Sequence, residues 1–147
     1  MTGVLTGCRQ ATPIPDGAEI VHVVVSDSEV ILDPDTVPAG DVYIVLDAPM
    51  NGSLSFVERH RAGEEPGPLT DDDLERLARG DTEGTAISGL DAGGCDAGQR
   101  AADRGKSGPC GNVMMVVVAE GQYAILGGAA GGEPTDVPPM GVLTVAP

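Results

Sequence analysis

The chain has 147 residues, enough for one domain that buries about two-thirds of the surface its unfolded form exposes. Its formal charge is −15, with 23 acidic residues against eight basic ones, and a surface of that sign repels phosphate backbones, which argues against nucleic acid as a partner. There is no Trp, one Phe (Phe56) and two Tyr (Tyr43, Tyr123), so aliphatic side chains must fill the interior. No run approaches the ~18 apolar residues of a membrane span.

Leu5-Thr6-Gly7-Cys8 resembles the lipobox of bacterial lipoproteins, in which the Cys thiol takes a diacylglycerol. Only Met1 to Val4 precede it, where a basic segment and an apolar stretch belong, so the motif reads as a remnant. Cys8 is therefore expected to be lipidated. That predicts an extracytoplasmic protein, anchored to a bacterial cell membrane or secreted, which meets the membrane only through its lipid. Arg9 to Gly17, RQATPIPDG, suits an extended tether, and residues 1–18 are assigned to lipobox and tether together. With Cys8 set aside, Cys95 and Cys110 form an even pair in an exported chain, which predicts a disulfide. It would close a stretch with almost nothing apolar to hold it in place.

The sandwich domain is expected to span residues 19–147. Glu19 to Ser26 and Val30 to Leu32 are β-branched runs that read as strands. In Val42 to Leu46, flanked by turn residues, Val42, Ile44 and Leu46 alternate with Tyr43 and Val45, a strand buried on both faces. Leu54 to Glu58 is half-buried, with Leu54 and Phe56 on one face and Ser55 and Val57 on the other. Residues 61–111 read as an insertion with one helix at about 70–79. Thr70 and Asp73 form a capping box, Leu69 can staple to Leu74, and Gly80 stops the helix. Asp71, Asp72 and Asp73 then serve the positive helix N-terminus, not a metal. Thr85 to Ser88 can form a short strand, and Val113 to Ala119, Tyr123 to Leu126 and Val142 to Val145 close the sheets. The fold class is all-β: an antiparallel Greek-key β-sandwich of 7–9 strands with one short helix and a long loop insertion.

Two segments are similar to the cupredoxin family. One is Val37 to Pro49, VPAGDVYIVLDAP, like the family's strand entered through a P-A-G turn; the other is EGQYAILGG with MGVLTVAP, like its closing strands. With the opening strands the resemblance covers about two-thirds of the chain. It implies a cupredoxin-like sandwich, whose usual chemistry rests on one copper ion held by two imidazoles, a thiolate and a weak axial thioether. Carried onto this chain, the thiolate position falls near Gly127, the early imidazole near Ser53 or Ser55, and Met140 occupies the thioether position. Residues 128–139 contain no His. The resemblance thus implies the fold and argues against a type 1 copper site, so no metal, cofactor-binding or catalytic residue is assigned. His22, His60 and Met140 remain weak copper candidates.

Met114 and Met115 are adjacent in a strand and point to opposite faces, which suits core filling better than Cu(I) binding. No G-x-S-x-G, H-E-x-x-H or P-loop motif is present. These residues predict a non-catalytic, exported binding module for an unidentified protein or small molecule at the cell surface. The alternative is a copper-binding or electron-transfer cupredoxin with an atypical His/Met site.

Overall fold

The computed structural model describes residues 12–25, 29–47, 52–91, 95–107, 110–129 and 139–147. In chain order the elements are β1 (Thr12–Pro13), β2 (Glu19–Val25), β3 (Val30–Asp33), β4 (Thr36–Pro38), β5 (Gly40–Leu46) and β6 (Gly52–Arg59). There follow α1 (Asp71–Ala78), β7 (Thr85–Asp91), α2 (Ala97–Ala102), β8 (Lys106–Ser107), β9 (Val113–Val118), β10 (Gly121–Ala129) and β11 (Met140–Ala146). Setting aside the two-residue β1 and β8, nine strands remain.

They form two sheets, one ordered β1-β8-β9-β5-β2-β3 and the other β4-β11-β10-β6-β7. The chain passes from the first sheet to the second between β3 and β4. Pairing is mixed: β2 with β5, β4 with β11 and β8 with β9 run parallel, the other pairs antiparallel. The β-sandwich expected from the alternating runs is present; most of its pairs are antiparallel, as expected, and those three parallel pairs correct the expectation of an antiparallel sandwich. Each joins strands that are not connected by a hairpin, so no local turn signal announces it.

Alternation along each strand decides what lies between the sheets. Val21, Val23 and Val25 of β2 and Ile44 of β5 face Phe56 of β6, Ile125 of β10 and Leu143 of β11 in one core, all buried. The two largest rings in that core, Phe56 and Tyr123, stack with centroids 5.2 Å apart. Tyr123 also accepts a hydrogen bond at its hydroxyl from the Ala119 N–H, 3.0 Å away, fixing the turn between β9 and β10. Gly121, two residues earlier, has φ +141°, and a Cβ there would meet Pro68 Cβ at 2.5 Å. The G-x-Y spacing thus combines a backbone only glycine adopts easily with a ring that needs a polar partner.

A second apolar layer lies on the outer face of the β10-containing sheet. Val57, Ala124 and Leu126 pack there with Leu69 and Leu77, and Leu74 and Met140 pack against them. The helix responsible is the one predicted: Thr70 caps it, its hydroxyl accepting from Asp73 N–H at 3.1 Å while Asp73 Oδ2 accepts from Thr70 N–H at 3.0 Å. Leu69 and Leu74 join the same layer, as a staple requires. Val57 is consequently fully buried, and β6 is covered on both faces where the sequence suggested only one.

The insertion is more regular than a long loop. The expected short strand extends to Asp91 as β7, an edge strand paired with β6 along seven residues. A second helix, α2, which the sequence analysis did not anticipate, has its own capping box from Asp96 and Gln99. Cys95 and Cys110 flank it and are bonded, with Cα atoms 5.8 Å apart. Thr12 and Pro13, placed in the tether by their composition, pair with Ser107 and Lys106 instead. Among the described residues, no helix is long and apolar enough to cross a membrane.

Candidate functional site

Three adjacent strands bring together the positions that the cupredoxin resemblance marks for ligands. In the order β11-β10-β6, Met140 stands opposite Leu126, which stands opposite Ser55; Gly127 is opposite Leu54 and Gly128 opposite Ser53. The Gly127 N–H donates to Pro139 O at 2.9 Å, which ties the end of β10 to the approach of β11. These positions therefore share one end of the sandwich.

The faces do not agree, however. Successive residues in a strand point to opposite sides. Leu126 and Met140 lie in the outer layer under α1, whereas Leu54, beside Gly127, lies in the core between the sheets. A side chain at Gly127 would point into that core, on the side of the sheet away from Met140. It would also find no room: an ideal Cβ there comes 2.5 Å from Val25 Cγ1 and 2.9 Å from Val30 Cγ2. Val30 also closes on the neighbouring strand, where a Cβ at Gly141 would lie 3.1 Å from Val30 Cγ1. The valines of β2 and β3 occupy the volume that a thiolate would need, and the thioether is spent on packing. The donor set does not fit a copper ion at this position.

The two histidines are placed separately. His22 lies on the outer face of the six-stranded sheet, its Nδ1 2.7 Å from Asp47 Oδ2, with the side chains 53% and 42% exposed. A carboxylate at Nδ1 orients an imidazole, as it does behind metal-bound histidines, but Met140 packs on the far side of the sandwich. His60 follows the last residue of β6, at the opposite end of that strand from Gly52, with its backbone N–H bonded to Gly84 O at 2.9 Å. His22, His60 and Met140 are thus not brought together. Among the described residues, no group of three or more His, Cys, Asp and Glu is arranged to hold a metal ion. Cys8, Met50 and residues 130–138 of the connection to Met140 lie outside the described residues.

Perturbed carboxyls appear elsewhere, and each has a structural cause. Asp73, in the first turn of α1, is buried. Burial alone would raise its pKa, but the hydrogen bonds with Thr70 and the charge and hydrogen bond of Arg61, whose Nη2 donates to Asp73 Oδ1 at 3.0 Å, hold it below the ordinary value. Glu58, on β6, is pushed up by burial against the opposing pull of His60. Burial also raises the Tyr123 phenol, the Ala119 N–H opposing and the Glu58 charge adding to the shift. Arg61 was the group that sequence reasoning missed; its signal would have been a cation near the buried acid of a capping box, which depends on a contact twelve residues away in the chain.

No protein-family model and no curated protein matches the chain. Among solved structures it is similar to one described as the crystal structure of Na-dithionite reduced auracyanin from the photosynthetic bacterium Roseiflexus castenholzii. The two are 16% identical with a TM-score of 0.40, over 89% of this chain and all of the other.

Proposed function

We propose that this chain is a non-catalytic, exported binding module: a cupredoxin-like sandwich without a type 1 copper centre, held at a bacterial membrane by lipid on Cys8. The observation that carries the first half is the contact of Val25 and Val30 with the Gly127 position, which leaves no room for a thiolate. The separation of Met140 from that position by the thickness of the sheet supports it as well. The lipobox-like tetrapeptide and the disulfide support export. Binding then belongs to the connections at the ends of the sandwich, since loops on a rigid scaffold are free to vary while the sheets hold their shape.

Affinity capture from native membranes, with the full chain as bait, tests the binding role. Specific enrichment of a partner that excess untagged protein displaces is the expected result. Mass spectrometry of the membrane-derived protein tests the anchor, and an unmodified Cys8 thiol would overturn it.

A further inference from the structure

Among the described residues, four of the five large exposed hydrophobic side chains lie on one surface, the outer face of the six-stranded sheet: Val24 (42% exposed), Ile31 (50%), Met115 (47%) and Val117 (68%). Pairing joins them through Ile20, Tyr43 and Met115, which sit side by side across β2, β5 and β9. The other sheet's outer face is covered by α1; on this one Val45 and Val113 are buried, while Met115 and Val117 further along β9 stay exposed.

Where the chain enters the structure decides what could lie against it. Three residues, Arg9 to Ala11, separate Cys8 from Thr12, and the four steps between them reach at most ~14 Å. Thr12 belongs to β1, on the edge of this same sheet, and β9 is two strands in, about 10 Å away. Lipid on Cys8 would therefore hold this edge close to the bilayer. The charge is milder along this edge than elsewhere, although the exposed Asp41 of β5 stands beside Val117. Residues 95–118, which build α2, β8 and β9, carry only two of the 23 acidic residues, Asp96 and Asp103, against Arg100, Arg104 and Lys106; residues 1–11 add Arg9 and no acid. The rest of the molecule is strongly acidic and is repelled by an anionic surface, so the repulsion itself turns this edge toward the membrane.

We infer that the outer face of this sheet, from the β1–β8 edge across β9, is a membrane-docking surface that rests on an anionic phospholipid bilayer, Arg104 and Lys106 facing head groups and Met115 and Val117 the interface. This rests on the lipid anchor proposed at Cys8, and it fixes the orientation that the anchor alone would leave free.

The full chain, its disulfide intact, can be coupled through the Cys8 thiol to a maleimide-bearing lipid, so that natural lipidation is not required for the test. Peroxide oxidation of Met115, read by peptide mass spectrometry, reports its access. On vesicles of phosphatidylcholine with phosphatidylglycerol, Met115 should oxidise about fivefold or more slowly than in the detergent-solubilised conjugate, and Arg104→Glu with Lys106→Glu should restore the detergent rate. Equal rates on vesicles and in detergent would overturn the inference while leaving the anchor to its own test. Protection that instead grows with protein concentration in the uncoupled protein would assign the face to a second copy and also overturn it.

Discussion

A Cβ placed on Gly127 comes 2.5 Å from Val25 Cγ1, closer than packed carbons tolerate. The glycine and the valine are complementary: β10 is bare backbone at this position, and the facing β2–β3 pair fills the space beside it. Gly127→Ala should therefore destabilise the protein by about 1–3 kcal/mol, as overpacking does. Combined with Val25→Ala, the added methyl should occupy space vacated by the valine, so the double variant should lose less than the two single losses summed, by about 0.5–3 kcal/mol. Urea unfolding measures the cycle, and strict additivity would count against this packing.

Arg61 and Asp73 join the start of the insertion to its helix. Asp73→Ala removes the carboxylate half of the capping box and the ion-pair partner of a half-exposed arginine, and should cost about 1–3 kcal/mol. Because α1 is what covers Val57, Leu126 and Met140, binding of a hydrophobic dye should rise in this variant before global unfolding. A loss of stability with no new dye binding would show that the outer layer does not depend on the cap.

Stability should peak at mildly acidic pH. Glu58 has a folded-state pKa above its ordinary 4.5, so the folded protein holds that proton more tightly than the unfolded chain; this contribution is complete below about 4.5 and lost as pH rises through the higher folded value. Asp73 has a folded-state pKa below its ordinary 3.8, so its contribution is present above about 3.8 and lost as pH falls through the lower folded value. Urea midpoints from pH 3 to 8 should show both limbs. Glu58→Gln should flatten the limb above pH 4.5, and Asp73→Asn should flatten the acid one.

Tyr123→Phe leaves the stacked ring in place but strands the Ala119 N–H, at a cost of about 1–2 kcal/mol. Thermal unfolding measures it. An unchanged melting temperature would mean that water replaces the hydroxyl.

Reduction of Cys95–Cys110 should cost up to about 3 kcal/mol, because the bridge closes a 15-residue separation with little apolar burial of its own. The loss should fall first on β8 and on β1, which pairs with it. Hydrogen exchange comparing oxidised and reduced protein reads this directly; uniform loss of protection across both sheets would contradict it.

What was legible in the sequence was local. The α1 cap is a four-residue pattern, the strand faces of β2, β5 and β9 follow from alternation, and Met114 and Met115 do part, one toward the core and one toward solvent. α2 escaped notice because AGQRAA has no apolar stripe, its support coming from a cap and a flanking disulfide. The parallel pairings depend on contacts between unconnected strands, which no short window contains. The residues of the candidate site were legible as neighbours at one end of the sandwich, but their faces were not. Counting residues placed Gly127 and Met140 at one end of the sandwich, yet only the β10–β11 register and the cover provided by α1 put Met140 on the outer side of its sheet.

Copper titration of the full chain shows whether Gly127, Met140 and their neighbours hold a type 1 copper ion. With Cu(II), and with Cu(I) under reducing conditions, calorimetry should show no saturable one-to-one binding, the visible spectrum should gain no intense thiolate-to-copper band, and the melting temperature should not rise. Stoichiometric binding with such a band would contradict the account.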